Sequence, residues 1–257
     1  MDHKKSNVRK VSKSEFDIHK IRDIDLAPLP KPVLNILDKG CIGYQDALDL
    51  QRNLYQKRLD GQISDTILLL EHAPVITLGA RQTANHVIDS PDRLARQGID
   101  LIQTRRGGGT TVHNPGQLVI YVICHLKERH LGVSECVRLL ERSAIALLKE
   151  LQVAAHTKKG YPGVWTGAGK IASVGLRIRH WVTTHGMAIN ISNDLRLFDC
   201  IIPCGLENVR MTSVAQETGR HHSMSSVKST ARKILQRLFG SAERTSLQLD
   251  ENTKETP

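Results

Sequence analysis

Aromatic residues and long apolar runs are both scarce in this chain of 257 residues. Phe, Trp and Tyr together make up 4% of the sequence, which leaves little capacity to stack on single-stranded nucleic acid. Apolar runs such as residues 118–124 have the length of a strand and fall far short of the roughly 20 residues that span a bilayer. We therefore expect a protein that neither crosses a membrane nor binds nucleic acid.

Cysteine is sparse, and its spacing indicates neither disulfides nor a metal site. The five cysteines form an odd set without a Cys-x-x-Cys pair: Cys41, Cys124, Cys136, Cys200 and Cys204. Reduced thiols in a cytoplasm fit this set best, and residues 1–25 lack the apolar stretch of a signal peptide. No second cysteine pair or spaced histidine pair completes a tetrahedral metal site. We therefore expect a cytoplasmic protein without a metal.

Acidic residues are missing from two long stretches of a chain whose formal net charge is +10. Neither residues 101–127 nor residues 151–193 contain Asp or Glu. The second stretch carries five positive charges, at Lys158, Lys159, Lys170, Arg177 and Arg179. Such a distribution is typical of a site that receives an acidic macromolecule or an anionic cofactor arm. Diffuse surface charge explains it equally well.

The residue pattern predicts a folded body between two polar tails. Residues 1–32 are polar and end in a proline-rich, non-helical segment. Residues 33–240 form the body, and residues 241–257 form a second polar tail.

Within the body, the apolar periodicity predicts both helices and strands. Helices are predicted over residues 44–59 and over residues 227–239, the second of which ends before Gly240. A third helix is predicted to begin after Ser134, its N-cap residue. Strands are predicted over residues 66–70, 75–78, 117–126, 171–178 and 187–191. The strand that begins at Gln117 is apolar throughout, which predicts burial on both faces. The grouping of these elements predicts a single α+β domain with a mixed central sheet flanked by helices.

A glycine-rich segment stands directly before the predicted central strand. Arg105 and Arg106 precede three consecutive glycines, and Thr110, Thr111, Val112 and His113 follow them. Consecutive glycines let a ligand approach the backbone closely and expose N–H groups to it. The segment leads into a strand, so it is neither a P-loop nor a dinucleotide fingerprint. A plain loop is an equally good explanation of the glycines alone, and the flanking Arg106 and His113 favour a binding role.

A lysine and a cysteine in unusual contexts indicate acyl transfer. Lys170 lies in Gly-Lys-Ile-Ala-Ser-Val-Gly, residues 169–175, and Cys204 lies in Ile-Pro-Cys-Gly, residues 202–205. A thiolate can accept an acyl group from one thioester and later release it, and a nearby ammonium favours the thiolate. His113 and His185 are the candidate histidines, and a structural role fits each of them as well as a catalytic one.

Five ordered motifs resemble those of the octanoyl-[acyl-carrier-protein]:protein N-octanoyltransferases, also called lipoyl(octanoyl) transferases. The motifs occupy residues 71–79, 106–117, 170–175, 185–190 and 203–205, and the resemblance covers roughly residues 41–213. The resemblance implies a domain of the biotin and lipoate protein ligase type that needs no cofactor. It also implies transfer of an octanoyl group from octanoyl-acyl carrier protein to a lysine of lipoyl domains. Those acceptors would belong to 2-oxoacid dehydrogenase complexes and the glycine cleavage H protein.

The resemblance further assigns roles to individual residues. Cys204 would be the acyl-thioester nucleophile, and Lys170 would lower its pKa. The substrate channel would be formed by Arg106, Gly107, Gly108, Gly109, Thr110, Thr111, Val112, His113, Ser173, Val174, Gly175, Gly186, Met187 and Ala188, with His72 and His185 in support. Gly109, Val112 and Asn114 depart from the family pattern, which bears on the fit of the acyl chain rather than on the reaction class.

Three other functions are compatible with parts of the sequence. An ATP-dependent lipoate or biotin-type protein ligase shares the glycine-rich and lysine motifs, but it activates a free acid as an adenylate and needs no nucleophilic Cys204. A basic module that binds acidic proteins without catalysis would use only the surface charge. A cysteine hydrolase would pair Cys204 with a histidine and release free acid.

Overall fold

A computed structural model describes residues 34–203 and 209–240. All described residues belong to one compact unit. Cys204, residues 1–32 and residues 241–257 lie outside the described residues, so the two predicted tails stay predictions.

In the residues that the structure describes, ten strands form two sheets. The strands are β1 (Asn35–Ile42), β2 (Thr66–His72), β3 (Val75–Leu78), β4 (Asp100–Gln103), β5 (Thr111–His113), β6 (Gln117–Ile123), β7 (His156–Lys158), β8 (Tyr161–Trp165), β9 (Lys170–Arg179) and β10 (Val182–Asn190). The larger sheet has the order β1-β2-β6-β10-β9-β8-β7. It is mixed, because β1 and β2 are parallel while its other neighbours are antiparallel. The predicted mixed central sheet is therefore confirmed.

The smaller sheet presents the glycine-rich segment to the larger one. Its order is β4-β3-β5, with β3 parallel to β4 and antiparallel to β5. The glycine-rich segment is the loop between β4 and β5, which we call the β4–β5 loop. The Gly107 N–H donates a hydrogen bond of 2.8 Å to the Leu176 carbonyl of β9. The loop thus bridges the two sheets.

Within residues 34–203 and 209–240, five α-helices accompany the sheets. They are α1 (Tyr44–Leu59), α2 (Pro91–Arg96), α3 (Val133–Glu150), α4 (Val214–Thr218) and α5 (Met224–Gly240). Short 3₁₀ turns occur at Gln82–Ala84 and Leu195–Cys200. In the part of the chain that the structure describes, no helix combines the length and the apolar character that a membrane span requires.

Strand β6 is the centre of the core, and each of its residues is buried. Leu118, Ile120 and Val122 belong to the apolar cluster that includes residues of α3 and α5. Val119 and Tyr121 belong to the cluster that includes Ala47 of α1. Successive strand residues point to opposite faces, so helices cover both sides of the sheet. The predicted burial of this strand on both faces is confirmed.

Several element ends differ from their predictions. Helix α3 begins at Val133, and its N-cap is Gly132, whose N–H donates to the Glu135 carboxylate at 2.6 Å. The prediction of Ser134 as the cap was therefore wrong, because the glutamate three residues after Gly132 supplies the acceptor. Gly240 belongs to α5 and does not follow it. Strand β10 starts five residues earlier than predicted, at Val182 rather than at Met187 (187 − 182 = 5).

Candidate active site

A small cavity of about 30 Å³ lies where the β4–β5 loop meets β9 and β10. Its wall contains Tyr44, Arg106, Gly107, Gly108, Thr111, His113, Val119, Tyr121, Ser173, Val174, Gly175, His185, Gly186, Met187 and Ala188. The structure thus brings most of the predicted channel residues together, although they come from three separate segments. We call this space the acyl cavity.

Gly109, Thr110 and Val112 do not line the acyl cavity. Val112 is fully buried in the apolar cluster of the smaller sheet, and the Thr110 hydroxyl accepts the His86 N–H at 2.9 Å. The carbonyl of Gly109 accepts a hydrogen bond from Arg106 at 2.7 Å. In this structure, the contacts of these three residues stabilise the conformation of the loop.

The Arg106 guanidinium holds the β4–β5 loop against β3. It donates to both oxygens of Thr77 at 2.7 Å, and to the carbonyls of Gly109 and Gly107 at 2.7 and 3.2 Å. The residue is 6% exposed and also lines the cavity. Because most of these hydrogen bonds are to backbone carbonyls, Arg106 fixes the loop backbone in addition to contributing a charge to the wall.

Two positions in the wall require glycine, one because of its backbone conformation and the other because a neighbouring carbonyl leaves no room for a Cβ. Gly108 has φ +85°, a left-handed conformation that favours glycine. A Cβ at Gly175 would lie 2.8 Å from the Gly107 carbonyl oxygen, which is closer than ordinary packing allows. The β4–β5 loop therefore approaches β9 only because position 175 has no side chain.

Asn114, which departs from the family pattern, braces the end of β5. Its Nδ2 donates to the Asp194 carbonyl at 2.8 Å, and its Oδ1 accepts from Asn193 at 3.1 Å. Glycine could make neither side-chain contact, so the asparagine adds a link between this turn and residues 193–194.

His72 supports the cavity from behind through Tyr121. Its Nδ1–H donates to the Ile42 carbonyl at 3.0 Å, so Nε2 accepts from the Tyr121 hydroxyl at 2.8 Å. Burial lowers the pKa of His72 to about 4 and raises that of Tyr121 well above 10. Both side chains are neutral near pH 7, as their paired hydrogen bonds require.

His113 is held in one tautomer by Gln117. Its Nδ1–H donates to the Gln117 Oε1 at 2.7 Å, while the Gln117 Nε2 donates to Asn190 Oδ1 at 2.9 Å. Burial lowers the pKa of His113 well below 6.5, with His72 adding to the effect. The neutral ring therefore carries its proton on Nδ1 and leaves Nε2 as an acceptor.

His185 has a strained backbone in addition to a buried ring. Its φ is +59°, which is unusual for a residue other than glycine, and its N–H donates to Gln51 Oε1 at 2.7 Å. Burial, together with the charges of Arg106 and Arg177, lowers the pKa of the ring to about 3. The three histidines thus give a polar but uncharged environment, to which Arg106 adds the positive charge.

Three wall residues were not predicted: Tyr44, Val119 and Tyr121. Tyr44 is the first residue of α1, and its ring stacks on His113 with the ring centroids 5.7 Å apart. Val119 and Tyr121 alternate along β6, so they share the face covered by α1. In the sequence, only the alternation along β6 could have indicated that Val119 and Tyr121 share a face. That alternation does not show whether the face lines a cavity or lies in the core.

Lys170 is a buried lysine at the first position of β9. It is 3% exposed, and its Nζ lies 5.3 Å from the centroid of the Trp165 ring. A Cβ at Gly163 would lie 2.7 Å from the Lys170 Cε, so the lysine stem packs directly on that glycine. Lysine is seldom buried this deeply unless its charge is paired. Lys170 does not line the acyl cavity.

Described residues on both sides of position 204 are anchored near the site. The Ile202 N–H donates to the His86 carbonyl at 3.1 Å, before the segment. After it, the Lys170 N–H donates to the Arg210 carbonyl at 2.8 Å, and the Thr212 N–H donates to the Lys170 carbonyl at 3.0 Å. The chain that follows residues 204–208 thus runs beside Lys170. The distance between Lys170 and Cys204 stays a prediction, because Cys204 lies outside the described residues.

Basic groups also cover the outer hairpin formed by β7 and β8. Lys158 and Lys159 are exposed, and Lys158 Nζ lies 4.8 Å from the Tyr161 ring and 5.3 Å from the Trp165 ring. The centroid of the Trp165 ring therefore lies 5.3 Å from the Nζ of Lys158 and 5.3 Å from the Nζ of the buried Lys170. Part of the positive charge seen in the sequence is thus on one surface next to the candidate active site.

The lining of the acyl cavity is partly apolar and partly polar. Among the described residues, no group of three or more His, Cys, Asp or Glu side chains could hold a metal ion. The acyl cavity combines apolar walls from Val119, Val174 and Met187 with uncharged polar rings. A narrow space with a largely apolar wall and a few polar groups is compatible with an alkyl chain.

Comparisons with known proteins agree with this chemistry. A family model described as the lipoyl protein ligase A/B catalytic domain matches residues 43–236. An octanoyltransferase from Chloroflexus aurantiacus is 44% identical over 73% of this chain and 86% of its own length. An octanoyltransferase from Desulfovibrio desulfuricans is 43% identical over 70% of this chain and 76% of its own length.

A solved structure shares the fold at much lower identity. The bipartite lipoate protein ligase from Thermoplasma acidophilum matches with a TM-score of 0.62 and 16% identity. The match covers 80% of this chain and 82% of that one. The predicted lipoate ligase type of fold is confirmed.

Proposed function

Because this chain belongs to the lipoyl protein ligase A/B catalytic domain family and, within it, to the octanoyltransferases, we propose that it transfers an octanoyl group to the lysine of a lipoyl domain. We further propose octanoyl-acyl carrier protein as the donor and Cys204 as the residue that carries the octanoyl group between donor and acceptor. The acceptors we propose are the lipoyl domains of 2-oxoacid dehydrogenase complexes and the glycine cleavage H protein. The unpaired cysteines favour a cytoplasmic setting.

The position of Lys170 carries this proposal. The Lys170 side chain is 3% exposed and packs against Trp165 and Gly163. Six residues after Cys204 in the sequence, the Arg210 carbonyl accepts a hydrogen bond from the Lys170 N–H. This supports a lysine and a thiol that meet in one site.

The proposed reaction begins with Lys170 protonated and Cys204 as a thiolate. The thiolate attacks the carbonyl carbon of the donor thioester, and the bond from that carbon to the donor sulfur then breaks. Lys170 gives its proton to the departing donor thiolate and becomes a neutral amine. One thioester has replaced another, so no nucleotide is needed.

The second half of the reaction restores the enzyme. The neutral amine of the acceptor lysine attacks the Cys204 thioester, and Lys170 takes the proton that the attacking nitrogen loses. The carbon–sulfur bond breaks, an amide remains on the acceptor, and Cys204 returns to its thiolate form. Lys170 thus acts as acid and then as base.

The length of an octanoyl chain supports the orientation of the substrate. Lys170 precedes Ser173 by three strand residues, which is roughly 10 Å along β9. An extended octanoyl chain is about 9 Å long from its carbon–carbon bonds. A carbonyl beside Lys170 would therefore place the chain end near Ser173, which lines the acyl cavity. The acyl cavity has only about 30 Å³, close to the volume of one water molecule, so its wall must open as the chain enters.

The β4–β5 loop is the wall element whose movement this requires. Its backbone is joined to β9 by the hydrogen bond that the Gly107 N–H donates to the Leu176 carbonyl. Gly107 and Gly175 approach each other without side chains between them. A small displacement of the loop would therefore widen the cavity without unpacking the core.

A product assay tests the proposal. The protein is mixed with octanoyl-acyl carrier protein and a lipoyl domain in the absence of ATP, and the acceptor is weighed by mass spectrometry. We expect one octanoyl group on the acceptor lysine. Octanoylation that needs free octanoate and ATP would identify a ligase instead, and release of free octanoate without acceptor modification would identify a hydrolase.

A further inference from the structure

A second and larger cleft, of about 630 Å³, lies between α1, the end of β4 and the outer ends of β9 and β10. We call it the arginine cleft. Four arginines line it: Arg52, Arg105, Arg177 and Arg179. None of the described residues that form its wall is Asp or Glu. Its volume matches that of sites for small-molecule ligands.

Among the described residues, three of these guanidinium groups have no acidic partner. Arg52 is paired with Asp49, its neighbour on α1. Within residues 34–203 and 209–240, Arg105, Arg177 and Arg179 form no ion pair. Three like charges around one concave surface repel each other until an anion binds among them. The cleft therefore has both the shape and the charge of an anion site.

The floor of the arginine cleft contains polar groups with unused hydrogen-bonding capacity. Gln51 is 2% exposed, and its Oε1 accepts the His185 N–H at 2.7 Å. Across the described part of the chain, neither the Gln51 Nε2 nor the His185 Nδ1 has a hydrogen-bond partner. Buried polar groups are normally paired, so these two atoms are available to a ligand after a small local adjustment.

The arginine cleft and the acyl cavity are neighbouring but different spaces, although His185 lines both, and the strand register shows their order. Gly175 pairs with Gly186 in the wall of the acyl cavity, whereas Arg177 pairs with Thr184 in the wall of the cleft. From Lys170 to Arg177 is seven strand residues, or roughly 23 Å. This step rests on the proposed function: an octanoyl chain that starts beside Lys170 ends before the cleft. The arm of the donor would leave the site at the opposite end.

We propose that the arginine cleft binds a free small polyanion, namely a phosphorylated metabolite that carries at least two phosphoryl groups. Guanidinium groups bind phosphoryl oxygens in a bidentate manner. The three positive charges of the cleft are more than a ligand with a single carboxylate would neutralise. The Gln51 amide supplies a donor to the polar body of the same ligand. This site is separate from the one that performs acyl transfer.

Isothermal titration calorimetry with inorganic pyrophosphate tests the site on the full chain. The variant Arg177→Gln/Arg179→Gln is compared with Arg138→Gln/Arg142→Gln, which removes the same charge from α3, whose residues do not line the cleft. We expect the cleft variant to bind pyrophosphate at least tenfold more weakly than the unmodified protein, and the α3 variant to stay within twofold. No binding by the unmodified protein, or equal weakening in both variants, would overturn the assignment.

Two further titrations separate a built site from general attraction and from donor docking. Gln51→Glu keeps an oxygen that can accept the His185 N–H but replaces the amide donor with a carboxylate, so pyrophosphate affinity should fall at least tenfold while the melting temperature stays near that of the unmodified protein. An unchanged affinity would remove Gln51 from the site. Saturating acyl carrier protein should leave pyrophosphate bound. Displacement would instead assign the arginines to the donor protein and overturn a site for a free ligand.

Discussion

Replacing Gly175 with alanine should impair octanoyl transfer by closing the acyl cavity. The new Cβ would lie 2.8 Å from the Gly107 carbonyl oxygen and 3.4 Å from the Arg106 Cδ. The carbonyl cannot retreat freely, because the N–H of the same Gly107 is hydrogen-bonded to Leu176. The β4–β5 loop must therefore shift by several tenths of an ångström.

The magnitude of the effect follows from the cost of overpacking. Inserting a methyl group into a tight site typically costs about 1–3 kcal/mol. If the added methyl group and the bound octanoyl chain compete for the same space, this corresponds to a loss of roughly fivefold to 150-fold in kcat/KM. The loss should be smaller for a hexanoyl donor than for an octanoyl donor, because the shorter chain needs less of the cavity near Gly175.

The matched control is Gly167→Ala, in the turn before Lys170. A Cβ at Gly167 meets no atom within 4 Å, so kcat/KM should stay within twofold of the unmodified enzyme. Both variants are measured in steady-state transfer to a lipoyl domain, with thermal melting to verify folding. Equal activity of Gly175→Ala and Gly167→Ala, or equal loss with both donors, would refute a cavity wall at position 175.

Three other perturbations address separate parts of the molecule. Lys170→Met should slow single-turnover octanoyl transfer by about 10²-fold to 10⁴-fold, because the acid and base are lost. Burial lowers the pKa of His72 to about 4, so the unfolded chain takes up a proton near pH 6.5 that the folded chain excludes. The free energy of unfolding should therefore fall by about 2 kcal/mol between pH 7 and pH 5 through this residue, and His72→Asn should remove that part of the slope in urea titrations. Lys158→Glu/Lys159→Glu should raise the KM for octanoyl-acyl carrier protein at low salt, with less difference at high salt.

Each of these results has an outcome that would contradict its premise. Full single-turnover activity of Lys170→Met would exclude the lysine from proton transfer. An identical pH slope in His72→Asn would show that other groups cause the loss of stability. Reversal of two charges on α3, at Arg138 and Arg142, provides the electrostatic control, and an equal rise in KM there would indicate diffuse attraction rather than docking on the β7–β8 hairpin.

Elements with a strong apolar pattern could be predicted from the sequence. Helix α1 and strand β3 have the predicted bounds, and β6 is buried on both faces as its composition indicates. Strand β8 was missed because Pro162 and Gly163 interrupt its apolar run, and both residues are normally depleted in strands. Here Gly163 is required because the Lys170 stem packs against it.

The motifs predicted which segments meet, but not what each side chain does there. Arg106 lies in the predicted cavity wall, yet its guanidinium also holds the loop backbone through Thr77 and Gly109. Tyr44 and Tyr121 were missed because their place in the wall depends on the packing of α1 against β6. That contact joins residues far apart in the chain and leaves no mark in local spacing.

The most direct measurement of the proposed mechanism is the intact mass of the enzyme after incubation with octanoyl-acyl carrier protein, without ATP and without an acceptor. We predict an octanoyl adduct that hydroxylamine removes, that is absent in Cys204→Ser and that persists in Cys200→Ser. Cys200 is the matched control because burial, with Asp89, raises its pKa to about 11, which keeps it a thiol. An unchanged mass, or an adduct that persists in Cys204→Ser, would contradict a thioester intermediate on Cys204.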